Sequence, residues 1–324
     1  MSKILVTGGA GYIGAHTVAL LVRRGYDVIV VDNLSRGHRH DVDARRLRVL
    51  DIRDTEGLYR LMTEEGFQAV IHFAAYIAVG ESTRVPEVYF DVNVGGSASL
   101  LAAMLRAGVD RLVFSSTAAV YGMPERVPVT EEMPFAPVSP YGESKVMTEK
   151  MLGWLDRYRG LHSVSLRYFN ACGADPESGL GEEHDPETHL IPLLLRAVLT
   201  GEPVTIFGDD YDTPDGTCIR DYIHVMDLAE AHVLALESLL NGGPSGAFNV
   251  GAGAGHSVLQ VLRAVEEVTG SRVPHIVGPR REGDAPVLVA NADLLRRTYG
   301  WAPRHTDLRD IVSSAWHFTK KGSA

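Results

Sequence analysis

Apolar positions along this chain switch between two spacings. Lys3–Thr7 contains the run Ile4-Leu5-Val6, as in a strand buried on both faces. Tyr12–Arg24 follows with apolar residues at helical spacing, and Gly25 ends it. Asp27–Val31, Ala69–Phe73, Arg111–Ser115 and Ser163–Tyr168 are further apolar runs, with helical segments between them. Strands alternating with helices predict parallel βαβ units. Right-handed crossovers then give the α/β class: a doubly wound parallel sheet of the Rossmann type.

After Asn170 the pattern changes. Ala171–His189 is rich in glycine, proline and acids, has no period, and reads as loop. Helices are expected near Leu190–Leu199, Val225–Leu240, Val258–Thr269 and Asp307–Phe318, and strands at Val204–Phe207 and Ala247–Val250. Residues 1–170 are therefore expected to form a Rossmann domain and 171–324 a smaller mixed α/β lobe, with some later segments returning to the first. A ligand cleft belongs between them.

Length and composition fit this picture. The chain has 324 residues, 45% hydrophobic and 22% charged. Its 31 Lys+Arg against 41 Asp+Glu leave a net charge of −10, which argues against a nucleic-acid partner. No apolar run is seen to approach the ~18–20 residues of a bilayer span, and the first residues lack the apolar core of a secretory signal. No membrane partner is expected. Cys172 and Cys218 lie in no CxxC or zinc spacing, so no metal ligand is assigned; they read as free thiols of a cytoplasmic protein.

Two segments carry chemistry. In Thr7-Gly8-Gly9-Ala10-Gly11-Tyr12-Ile13-Gly14, glycines 8, 11 and 14 fall three apart between strand and helix. Such a turn admits a pyrophosphate against free helix N–H groups. Asp32 closes the second strand, where a carboxylate accepts hydrogen bonds from an adenosine ribose and repels a 2′-phosphate. NAD is the expected cofactor. In Ser139-Pro140-Tyr141-Gly142-Glu143-Ser144-Lys145, a cap and a first-turn proline start a helix. Tyr141 and Lys145 then share one face. A nearby ammonium and a cationic nicotinamide ring are expected to lower the phenol's pKa, making a base for a sugar hydroxyl. Thr117 follows the strand that ends Phe114-Ser115-Ser116, at the sheet edge where open parallel sheets bind ligands.

With these residues in place, the chain resembles the extended short-chain dehydrogenase/reductase family over nearly its whole length, and within it the UDP-glucose 4-epimerases. The matching segments, in order, are TGGAGYIG from Thr7, DNLS from Asp32, DIRD from Asp51, HFAA from His72, VGES from Val79, SSTAAVYG from Ser115, SPYGESK from Ser139, LRYFNACGA from Leu166, IFGDDY from Ile206, DGTCIRDYIHVMDLA from Asp215, NVGAG from Asn249 and RREGD from Arg280. The resemblance implies a UDP-sugar substrate, bound NAD, a transient 4-keto sugar and a homodimer. It implies that Tyr12, Ile13, Asp32, Asn33, Asp51, Ile52, Phe73, Ala74, Ala75, Ser115, Tyr168 and Lys145 bind NAD. Thr117 would share the sugar 4-hydroxyl with Tyr141. Asn170, Arg220 and Arg281 would hold the UDP moiety and Asp284 its ribose. Thr205, Ile206, Phe207 and Tyr222 would line the uridine pocket. His189 and Leu190 would stand beside the diphosphate or sugar; His189 replaces an asparagine of relatives and reads equally well as a loop histidine facing solvent. Leu288 stands where relatives have tyrosine or a small residue, which leaves acceptance of N-acetylated sugars open. Other UDP-sugars, such as pentoses or uronates, and a non-catalytic NAD-binding module remain alternatives. A dehydratase needs an acid pair after the threonine, and here Ala118-Ala119 follows.

Overall fold

A computed structural model describes residues 2–281 and 283–322. In chain order it contains β1 (Lys3–Thr7), α1 (Tyr12–Arg23), β2 (Asp27–Asp32), β3 (Leu47–Val49), α2 (Thr55–Glu65), β4 (Ala69–His72), α3 (Val79–Ser82), α4 (Pro86–Tyr89), a π-helical segment (Phe90–Gly95), α5 (Gly96–Ala107), β5 (Arg111–Thr117), α6 (Pro140–Arg159) and β6 (His162–Tyr168). There follow β7 (Asn170–Cys172), α7 (Leu190–Thr200), β8 (Val204–Phe207), β9 (Ile219–His224), α8 (Val225–Leu240), β10 (Gly246–Val250), β11 (Gly255–Ser257), α9 (Val258–Thr269), β12 (His275–Gly278), β13 (Val287–Leu288), α10 (Asp293–Tyr299) and α11 (Leu308–Gly322).

The main sheet runs β3-β2-β1-β4-β5-β6-β10, every pair parallel. Strand parity sorts its side chains into two cores. Ile4, Val6, Val28 and Val30 face one cluster with Leu21 of α1 and Leu228 and Leu236 of α8. Leu5, Ile29 and Val31 face the other with Leu58 of α2, Leu100 of α5 and Leu152 of α6. Both faces are thus covered, as a parallel sheet requires. β10 and α8, from beyond residue 170, belong to this assembly. The rest forms a smaller lobe. There β9 pairs with β7, β11 and β13, β8 pairs with β12, and α7, α9 and α11 share a third core.

The structure adds to the sequence reading and amends it. β3, β9, β11, β12, β13 and α10 carry too little pattern to be read from the sequence, and β7 takes the first residues of the expected loop. Helix Pro86–Ala107 is, by length and composition, apolar enough to cross a bilayer, which corrects the reading that no run approaches that length. Half of its most apolar window is buried within the fold, against partners such as α2 and α6. Thr7 Oγ1 and His72 Nδ1 lie 2.7 Å apart, and His72 Nε2 lies 3.0 Å from Ser97 Oγ. This chain ties β1 and β4 to α5. Burial, and then the Lys145 charge, lower the His72 pKa to about 3, so the ring is neutral here.

The β1–α1 turn is packed backbone on backbone. A Cβ on Gly14 would overlap the Gly8 carbonyl oxygen and stand 2.9 Å from Gly9 Cα. Gly8 has φ +72°, and a Cβ there would overlap Ala74 N. Gly14→Ala is expected to cost ~1–3 kcal/mol by overpacking. Gly153→Ala in α6, with nothing within 4 Å of the added methyl, is expected to be neutral or to stabilise by up to about 1 kcal/mol. Urea unfolding midpoints of the two variants check the contrast.

Candidate active site

β5 ends at the carboxyl edge of the sheet, and register with β6 sets Thr117 beside Tyr168. Thr117 accepts from Ala119 N at 3.2 Å, opening a short 3₁₀ turn. α6 begins where the sequence places it: Ser139 accepts from Gly142 N at 3.1 Å, and Pro140 is the first helical residue. Tyr141 and Lys145 lie one turn apart and are 6% and 3% exposed. Burial pushes the Tyr141 phenol well above its ordinary pKa, and Tyr168 adds to this; the Thr117 hydroxyl opposes it. Lys145 Nζ donates to Ser115 O at 2.8 Å and lies 4.9 Å above the Phe114 ring. Burial brings its pKa down to about 7, against the pull of Glu149. Lys145 is not among the groups that move the Tyr141 pKa, so the lowering expected from the lysine is not found. The geometry buries a neutral phenol and a weakened cation together.

Behind this pair lies a network the sequence reading missed. Arg167 and Glu149, 7% and 6% exposed, pair at 2.6 Å. Ser116 Oγ donates to Glu149 Oε1 at 2.5 Å, and Arg167 Nη1 donates to Tyr121 OH at 2.9 Å. Tyr121 OH donates to Asn249 Oδ1 at 2.8 Å. These bonds lock β5, α6, β6 and β10 around the residue before Thr117. Asn93, in the π segment, accepts from Tyr76 N at 2.8 Å and donates to Ser144 Oγ at 3.0 Å. An asparagine inside an apolar helix was the available signal. Single-turn π segments recur at functional sites.

The expected cofactor residues gather at the ends of β1, β2 and β4. Gly11 N donates to Gly8 O, and Ala15 N returns to Gly11 O, so the amides of residues 12–14 lack partners from the preceding turn. Ile13 packs partly buried on the core. Asp32, 8% exposed, accepts from Ala10 N at 3.0 Å and Leu34 N at 2.8 Å. Burial raises its pKa against these bonds. Asn33 Nδ2 donates to Asp51 Oδ2 at 2.9 Å, and Ile52 is buried next to Asp51. Phe73 packs 4.6 Å from the His232 ring, followed by Ala74 and Ala75. Tyr12 OH donates to Gly173 O at 2.6 Å, and Ser115 Oγ and Tyr168 OH lie 2.8 Å apart. A glycine cradle with no room for a Cβ at Gly8, Gly9 or Gly14, beside a carboxylate held by backbone N–H groups, fits a dinucleotide.

The smaller lobe supplies the other wall. Asn170 Nδ2 donates to Asp221 O at 3.1 Å, and β7 sets Asn170 opposite Tyr222. Arg220 Nη2 pairs with Asp284 Oδ1 at 2.8 Å, so the two expected UDP contacts hold each other. Arg281 lies over Phe207 at 4.0 Å. Arg280 is exposed and pairs with Asp210, apart from that group. Ile206 and Tyr222 are buried in the lobe's core, with Thr205 half-buried beside Ile206. Leu288 packs with Ala118 and Val120 just past Thr117. His189 precedes Leu190, the first residue of α7, and its Nδ1 faces Glu182 and Glu187.

A family model described as "NAD dependent epimerase/dehydratase family" matches residues 4–251. The chain is 50% identical to a UDP-glucose 4-epimerase of Rhizobium meliloti over 98% of this chain and 97% of that one. It superimposes with TM-score 0.95 on a Brucella ovis UDP-glucose 4-epimerase solved in complex with NAD, at 45% identity and 98% coverage of both chains. A Stenotrophomonas maltophila UDP-glucose-4-epimerase, solved with bound NAD and formylated UDP-arabinopyranose, gives TM-score 0.96 at 43% identity, covering 100% of this chain and 99% of that one. With the glycine cradle, the strand-end threonine and the buried tyrosine all in the same fold, this chain belongs to the NAD-dependent epimerase/dehydratase family.

Proposed function

We propose that this chain inverts C4 of UDP-hexoses, converting UDP-galactose to UDP-glucose with bound NAD. One observation carries the reading: Tyr141, buried at the carboxyl edge of the sheet, faces the Thr117 hydroxyl with Lys145 one turn away. Bound NAD supplies the acceptor, and later the donor, of the C4 hydride. Thr117 and Tyr141 hold the sugar 4-hydroxyl, and Tyr141 takes its proton as the carbon is oxidised. The phenol returns that proton when the 4-keto sugar is reduced on its other face. A neutral, desolvated Tyr141 suits this cycle. Burial keeps the proton on the phenol, a cationic nicotinamide ring would favour its release, and water has little access to compete. Lys145 holds the ribose side of the cofactor while remaining bonded to Ser115 O.

Inversion needs a sugar that turns and a handle that does not. Arg220, Arg281 and Asn170 grip the UDP moiety, and Asp284 meets its ribose. Holding the remote end tightly lets the reacting end stay loose. Ala118-Ala119 offers no acid to expel water, which argues against a dehydratase. A UDP-pentose is a second reading, favoured because the Stenotrophomonas relative was solved with a modified UDP-arabinopyranose.

Assembly and location belong to the same proposal. Trp154 and Tyr158 on α6 stack at 5.7 Å while 59% and 65% exposed, and Met147 is exposed one face-length earlier. That patch supports a homodimer packed along α6. The two free, buried cysteines suit a cytoplasmic setting.

Tyr141→Phe is expected to cut turnover by ~10²–10⁴, while Thr117→Ser keeps most of it; chromatography of UDP-galactose against UDP-glucose reads both. Failure of the wild-type chain on UDP-hexoses and UDP-pentoses alike, with NAD supplied, would overturn the epimerase reading. Arg220→Ala removes a charge-assisted contact to the diphosphate and is expected to raise KM about ten- to a hundred-fold. Trp154→Glu is expected to shift the chain from dimer to monomer in sedimentation velocity. A wild-type monomer would discard the α6 interface.

A further inference from the structure

We propose that Glu182, His184, Glu187 and His189 form a binding site for one Zn²⁺ ion. They occupy the segment between β7 and α7 in the spacing Glu-x-His-x-x-Glu-x-His. Their ligand atoms all lie within 4.8 Å of one another. His189 Nδ1 is 2.8 Å from Glu182 Oε1 and 3.0 Å from Glu187 Oε1. His184 Nδ1 is 3.2 Å from Glu182 Oε1 and 3.8 Å from Glu187 Oε2. A tetrahedral ion with ligands at about 2.0–2.1 Å has ligand–ligand edges of about 3.3 Å. The two edges that meet at Glu182 Oε1, 2.8 Å to His189 Nδ1 and 3.2 Å to His184 Nδ1, are close to that length.

Two observations set this group apart from a hydrogen-bonded cluster. The Glu182 and Glu187 side chains are 6% and 9% exposed, and among the described residues their ion-pair partners are the two imidazoles, with no lysine or arginine. Burying two carboxylates side by side is costly, and a divalent ion supplies one positive charge for each. The second observation is His184 Nδ1. It is a buried atom with no hydrogen-bond partner, because its contact with Glu182 is close but misaligned. A nitrogen 3.2 Å and 3.8 Å from two carboxylates, without a hydrogen bond to either, stands where a ligand nitrogen would. Mixed imidazole and carboxylate donors suit zinc and its neighbours in the first transition row. Reading only cysteine spacings for metal left this set unassigned.

The ion would brace the junction of the two lobes. The His184 ring packs edge-on to Tyr12 at 6.3 Å, His38 Nε2 lies 2.8 Å from Glu183 O, and Arg36 Nη1 donates to Asp185 O at 3.4 Å. It would also fix His189 through Nδ1, leaving Nε2–H as a donor at the start of α7.

The test uses the untagged full chain, stripped with chelator and titrated with Zn²⁺ alone, then with Co²⁺ as a spectroscopic probe. The expected result is one equivalent of Zn²⁺ retained after dialysis, a raised unfolding temperature, and intense visible bands of tetrahedral Co²⁺. His184→Ala, with Glu187→Gln as a second variant should the first misfold, is expected to weaken binding by more than the ~10–100-fold that loss of an outer-shell partner costs. His38, His40 and Glu183 form a more exposed group nearby, so His40→Ala is expected to leave binding intact. Binding that survives His184→Ala and Glu187→Gln but is lost in His40→Ala would overturn the proposal. So would a wild-type chain that retains no Zn²⁺ and shows no Co²⁺ bands, which would leave the cluster a network of ion pairs.

Discussion

The large lobe depends on how closely the start of α1 can approach the end of β1. At Gly8 and Gly14 main chain meets main chain, with no space for a side-chain carbon. That approach points the first amides of α1 past the sheet edge. It also brings Ala10 N within reach of the buried Asp32 carboxylate at the end of β2. The parallel register carries the edge along the sheet: Thr7 stands beside Val31 and His72, and Thr117 beside Tyr168. A parallel sheet aligns its carboxyl ends by construction, so groups from distant parts of the chain reach one rim without needing long loops.

Along that rim, Tyr141 and Lys145 show what spacing alone conveys and what it does not. A separation of four positions puts both on one helical face, and Ser139-Pro140 fixes where that helix starts. Spacing does not give the direction of an ammonium. Nζ goes to Ser115 O, and burial outweighs charge at both groups, raising the phenol and lowering the lysine. The proton therefore rests on tyrosine, because burial disfavours the charged form of both groups.

Legibility followed the range of the interaction. Strands buried on both faces and amphipathic helices announce themselves locally, so β1, β2, β4, β5, β6, α8 and α9 were readable nearly to the residue. β9 was not. Its Arg220, Asp221 and His224 interrupt the apolar pattern, and Asp221 is fully buried and accepts from Ala252, Gly253 and Ala290 N–H groups. A carboxylate satisfied by backbone from two later loops leaves no local pattern. Glu149 and Arg167 were hidden for the same reason: each is an ordinary charged residue until the fold brings them to 2.6 Å inside the protein.

The smaller lobe follows a different logic from the glycine turn. Around that turn, positions are fixed by backbone packing. In the lobe, Arg220 and Asp284 pair with each other at 13% and 31% exposure. Nη1 of the same guanidinium donates to Ile219 O at 2.9 Å, so backbone and carboxylate together fix the direction of Arg220. A pair this far buried is screened only in part, so removing either partner leaves the other incompletely compensated, and the two positions are constrained as one unit rather than as separate surface charges.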